Sequence, residues 1–147
     1  MTMTLRALVP LAALLGLAVT AGAADDPLAA TLRGVVEDNL RAYDVEGVVR
    51  SVHTQSPEYG PTKDEVVGQF RVFDLTPKLV AFEYMGHDDE FAVARVKIKL
   101  EGPPGFMNNT TDSIVLFHQE GGIWKLWTDE ILGVEFEQRI GTLVPSR

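Results

Sequence analysis

The spacing of apolar residues changes once along this chain, from a helical to a strand period. Leu28, Leu32, Val35, Val36, Leu40 and Tyr43 recur at intervals of three and four, so Pro27 to Tyr43 is predicted to be a helix with one apolar stripe. Asp26 stands where an N-cap is needed, and Pro27 suits the first helical position, whose missing N–H costs nothing. Asp44 offers a second cap, and Val45, Val48, Val49 and Val52 predict a short second helix that Pro57 must end. Thr62-Lys63-Asp64-Glu65 reads as a capping box, and Val66, Val67, Phe70 and Phe73 give a third helix its buried stripe.

From Val80 onward the period is two. Val80, Phe82 and Tyr84 alternate with Ala81, Glu83 and Met85, and Ala92, Ala94, Val96, Ile98 and Leu100 alternate with Phe91, Val93, Arg95, Lys97 and Lys99. A three-residue loop, His87 to Asp89, would pair Tyr84 with Ala92, Phe82 with Ala94 and Val80 with Val96. That register gives one wholly apolar face with room above the alanines, whereas a one-residue slip would place Glu83 on it. Two longer strands come after, about Thr111 to Gln119 and Ile123 to Phe136, divided by Gly121-Gly122. A two-residue turn there pairs His118 with Lys125, facing outward; a three-residue connection pairs it with Trp124, on the other face; glycine suits both. Strands of this length predict strong curvature, with Gly133 as a bend. The expected class is α+β: three N-terminal helices packed in a strongly curved, mainly antiparallel sheet, a cone-shaped α+β barrel.

Composition adds a compartment and removes some functions. Arg6, the uncharged run Ala7 to Thr20, too short to span a bilayer comfortably, and Ala21-Gly22-Ala23 have the order of an export signal. The expected organisation is therefore a signal peptide over 1–24, one domain over 25–140 and a C-terminal tail over 141–147. The location expected is secreted or periplasmic, with no membrane attachment after cleavage. Cysteine is absent, which excludes disulfides and zinc–thiolate sites. A net charge of −8 argues against nucleic acid and anionic lipid as partners.

Tyr43-Asp44-Val45-Glu46-Gly47 at the joint of the first two helices and Gly122-Ile123-Trp124-Lys125-Leu126 at the late strand resemble the nuclear transport factor 2-like superfamily, which includes SnoaL-like and ketosteroid-isomerase-like proteins. The resemblance covers roughly Pro27 to Phe136. It implies a cone, a sheet wrapped around the long first helix with a pocket at its open end, and homodimerisation through the outer sheet face. The departures bear on chemistry. The aspartate base, tyrosine and protonated aspartate of ketosteroid isomerase cannot be placed here. Where many polyketide-cyclase-like relatives carry a histidine, this chain reads Leu126-Trp127-Thr128-Asp129-Glu130.

The candidate acid–base residues are Glu130, His118 and Tyr84. Glu130 shares strand parity with Trp124, Leu126 and Thr128 and would reach the pocket mouth if Trp124 points inward; otherwise it is a solvated rim carboxylate. His118 joins it only if the glycine turn has three residues. Tyr84 lies on the alanine-lined face, where a core role competes with a ligand contact. The expected ligand pocket comprises Tyr84, Ala92, Ala94, Trp124, Thr128, Glu130, His53 and Tyr59. His87-Asp88-Asp89-Glu90 reads as a solvated hairpin turn and not as a metal loop. No cofactor or metal is expected. The leading expectation is an exported module that binds a small apolar or amphipathic molecule or a protein partner as a homodimer. The alternative is a cofactor-independent isomerase, dehydratase or hydrolase with a carboxylate–histidine–tyrosine set.

Overall fold

A computed structural model of the chain describes residues 26–41, 47, 50–61 and 74–137. Helix α1 spans Pro27–Arg41, and a short turn of helix, α2, spans Tyr59–Pro61. Four strands come next: β1 Thr76–His87, β2 Phe91–Glu101, β3 Asn109–Glu120 and β4 Ile123–Phe136. They form one antiparallel sheet in the order β1-β2-β3-β4, so the fold is α+β with one long helix on a four-stranded open sheet. The predicted third helix, Thr62 to Phe73, and the signal segment lie outside the described residues, as do most of the second helix and the tail.

Helix α1 begins as its sequence dictates. The Asp26 carboxylate accepts from Leu28 N–H at 2.9 Å, and the Asp26 carbonyl accepts from Ala29 N–H, also at 2.9 Å. Gly47, Arg50 and Ser51 have helical backbone, but the chain leaves the helix at Val52, well before Pro57 would require it. The cause is tertiary. Val52 bridges Leu126 in parallel fashion, and His53 N–H donates to the Leu126 carbonyl at 2.8 Å.

One face of the sheet meets α1. Leu32 and Val36 pack on Tyr84, Ala92, Ala94, Val96, Val115 and Phe117, with Trp124 and Leu126 at the margin. The helix touches both β1 and β4, the two edge strands. Flat, those edges would be about 14 Å apart; a helix about 10 Å across reaches both only because the sheet curls around it. Irregularities in register in β1 and β4, which sharpen local twist, produce the curl.

The β1–β2 register differs from the expected one by two residues. Tyr84 faces Ala94 and Phe82 faces Val96. The Asp88 carboxylate accepts from both Glu90 N–H (2.8 Å) and Phe91 N–H (2.7 Å), which widens the connection, and Gly86, at φ 141°, follows an extra residue in β1. A shift of two preserves side-chain parity, so the apolar face survives. Val80 falls at the other irregularity and is exposed. Gly121 and Gly122 form a two-residue turn, with φ of 61° and 80° as a primed hairpin turn requires. His118 therefore faces Lys125 on the outer surface.

Candidate functional site

The turn fixes the first part of β4 as expected. Trp124 and Leu126 point to the α1 side. The next residue changes the rest of the strand. His118 pairs with Lys125 and Phe117 with Leu126, but Leu116 pairs with Thr128, so Trp127 is an extra residue in β4. A bulge of this kind reverses parity. Thr128 and Glu130 consequently share the outer face with Leu116 and Ile114, while Asp129 and Ile131 share the concave face with Val115 and Ser113. A second irregularity, at Leu132, leaves Val134 and Phe136 on the concave side.

This separates the expected catalytic set. His118 and Glu130 lie on one face, but Glu130 pairs with Ile114, four residues from His118 along β3, about 13 Å. Tyr84 is on the opposite face, in the core. Its hydroxyl contacts His87 Nδ1 beside the α1 N-terminus, and burial, followed by the Asp26 carboxylate, holds its pKa above the ordinary tyrosine value. The three groups do not converge.

The expected pocket residues divide in the same way. Tyr84, Ala92, Ala94 and Trp124 are on the concave face, but the space above the two alanines is filled by Leu32 and Val36. Thr128 and Glu130 are on the other side. His53 and Tyr59 belong to the segment laid along the β4 edge, where Ser56 donates its hydroxyl to the Trp127 carbonyl. His53 is buried. Its Nδ1 accepts from Gln55 N–H at 3.1 Å, so Nε2 carries the proton and donates to the Gln119 carbonyl at 3.2 Å. The same carbonyl accepts from His118 Nδ1 at 2.9 Å. The two imidazoles meet edge to face at 4.8 Å, and Trp127 lies 5.0 Å from each. Phe91 completes this outer aromatic group, on the sheet face that also carries the buried Val93 and Leu116. These histidines are structural pins between the 52–56 segment and the sheet.

Beyond Thr128 the residues of β4 are exposed. Asp129 is exposed on the concave face; partial desolvation raises its pKa, and the Glu58 carboxylate adds to the rise. Ile131, Val134 and Phe136 continue along β4, exposed at 60, 43 and 58%. These apolar side chains stand in a row on the concave sheet face, with Asp129 at one end. Sequence parity missed Asp129 and Ile131 because neither glycine nor proline marks the bulge at Trp127. A separate cleft of about 380 Å³ between α1, residues 47–51 and the start of β4 is lined by Val35, Asp38, Arg50, Ser51, Trp124 and Lys125. Among the described residues no helix is long and apolar enough to cross a membrane, and no group of three or more His, Asp or Glu residues could hold a metal ion.

A curled four-stranded antiparallel sheet around one helix defines a small α+β module. The family of the anti-sigma-I factor RsgI9 C-terminal domain matches residues 34–136, over half of the chain, and the chain belongs to that family. Two solved structures share the fold. One is Bdellovibrio bacteriovorus Bd1075, at 13% identity and TM-score 0.56, over 68% of this chain and 38% of that one. The other, described as a putative aromatic ring hydroxylase from Novosphingobium aromaticivorans DSM, has 14% identity and TM-score 0.56 over 78% of this chain and 94% of that one. At such identities the likeness shows the fold alone. No curated protein matches the chain.

Proposed function

We propose that this chain is an exported, nuclear transport factor 2-like module that binds a small apolar or amphipathic molecule on the concave face of its sheet. The observation that carries the reading is the row Ile131, Val134 and Phe136, left exposed on that face next to Asp129. Exposed apolar side chains in a row are costly unless a partner covers them. The full cone belongs to the same reading. The segment Thr62 to Phe73, with its capping box and apolar stripe, is the third helix of that cone in this reading. Residues 1–24 direct export and are removed. The outer face, where Phe91 and Trp127 are half-buried around Val93, is the proposed homodimer surface.

A thermal-shift screen of the mature chain against neutral and cationic amphipaths tests the ligand. Saturable stabilisation is expected, and a flat response across the screen sinks the proposal. Light scattering at micromolar concentration tests the dimer, and a strict monomer counts against it.

A second reading is favoured by Asp129 alone. Its raised pKa suits a general acid, so an isomerase or dehydratase would use this residue in place of Glu130 and His118. Turnover that survives Asp129→Asn unchanged would eliminate that version.

A further inference from the structure

We propose that the cleft between α1, residues 47–51 and the start of β4 binds a free α-amino acid with an apolar side chain. Its volume, about 380 Å³, falls among those of small-molecule sites, roughly 300–1,000 Å³. One side of it is the edge of β4. The Leu126 carbonyl accepts from His53 N–H, so it points away from β3, toward the segment that carries Val52. Trp124 stands two residues earlier with no irregularity between, and turns its N–H and C=O the same way. The Gly121-Gly122 turn agrees: it makes Glu120 and Ile123 the bonded pair and leaves Gln119 and Trp124 as a non-bonded one. This edge therefore offers one backbone donor and one backbone acceptor from a single residue. The ammonium and carboxylate of one α-amino acid are spaced as the N–H and C=O of one residue, so they meet Trp124 as a partner strand would.

Charge and shape select the ligand. Asp38, on α1, and Arg50 bring opposite charges to the cleft from two different elements, and both are exposed. A ligand of one sign would leave one of them facing a like charge; a zwitterion satisfies both. Lys125 also lines the cleft, but the Glu120 carboxylate holds its ammonium at 2.6 Å. Arg50 is thus the cation that meets the ligand carboxylate, and its five donors serve that carboxylate beside the partner it already has. Asp38 lies 3.6 Å from Arg41 in a solvent-exposed pair, too weak to withhold it from an ammonium. Val35, three residues before Asp38 on the same helix face, joins Ile123 and the half-buried Trp124 as apolar lining for the side chain. None of these residues belongs to the row from Asp129 to Phe136, so the inference is independent of what binds the concave face.

Titration of the isotopically labelled full chain with L-leucine, followed by NMR at the backbone and indole N–H signals of Trp124, tests it. Isocaproate, which lacks the ammonium, and isopentylamine, which lacks the carboxylate, are the comparison ligands; Arg50→Gln, Asp38→Asn and Ile131→Asp are the variants. The expected result is saturable shifts with L-leucine at a Kd below about 1 mM. Binding should weaken at least about tenfold for either truncated ligand and for L-leucine on Arg50→Gln or Asp38→Asn, and stay unchanged on Ile131→Asp. Urea midpoints check that the variants are folded, and the ligand comparison on the wild-type chain decides the matter without them. Four outcomes overturn the proposal: no saturable shift with L-leucine, equal affinity for either truncated ligand, affinity unmoved by Arg50→Gln or by Asp38→Asn in the folded variant, or binding lost in Ile131→Asp.

Discussion

The two halves of β4 each carry four large apolar side chains and have opposite fates. From Ile123 to Thr128 the strand is tied down. Gly121-Gly122 sets its register, Val52 to Ser56 lie along its edge, and Lys125 reaches Glu120 at 2.6 Å. From Asp129 to Phe136 it pairs with β3 on one side, and every residue is exposed. The hydrophobic content of the halves does not explain this. Among the described residues, the backbone contacts of the 52–56 segment reach as far as Trp127, and the apolar residues after the bulge are exposed. Core and exposed apolar surface are successive stretches of one strand.

The comparison is broken most readily by truncation. Phe117→Ala, beneath the covered half, should cost about 3–5 kcal/mol, because Phe117 is fully buried. Ile131→Ala in the open half should cost under about 1 kcal/mol. Urea midpoints measure both, and equal losses would mean that the second half is core as well. Next in size is Gly122→Val. A β-branched residue at φ 80° should cost about 1–2 kcal/mol and disturb the pairing of His118 with Lys125.

Acidity separates the halves by sign. The Lys125 ammonium and the Thr54 hydroxyl lower the Glu120 carboxyl from 4.5 to about 2. Its contribution is complete above pH 4.5 and lost as pH falls from there toward 2. Asp129 is raised above its ordinary 3.8, so between that value and its folded one the native state binds the extra proton and stability falls as pH rises. Glu120→Gln should flatten the acid limb of a stability–pH curve, and Asp129→Asn should remove the opposing slope just above it. Slopes of the same sign in the two variants would contradict the assignment. The smallest effect is expected at Arg95, which pairs with Asp112 at 2.6 Å on the solvent side. Arg95→Met should leave the urea midpoint within scatter.

The legible parts of this structure are local. Asp26 caps α1, alternation marks the strands, and Gly121-Gly122 makes the turn because each feature acts through neighbours in sequence. The illegible parts are tertiary. Leu126-Trp127-Thr128 contains no residue that announces a bulge; the edge it presents is held by His53 and Ser56, from a segment far earlier in the chain. One inserted residue turns Glu130 outward and Asp129 inward, so the strand parity expected from Trp124 holds as far as Leu126 and is inverted after it. The β1–β2 register escaped the same fate because its error was an even number.

The most direct measurement of the central claim is a fluorescence titration of the mature chain with the neutral probe N-phenyl-1-naphthylamine, repeated on Ile131→Asp. The account predicts saturable binding by the wild-type chain, weakened at least about tenfold in the variant while its urea midpoint is retained. Binding that is absent from the wild-type chain, or unchanged by a charge at residue 131, would contradict it.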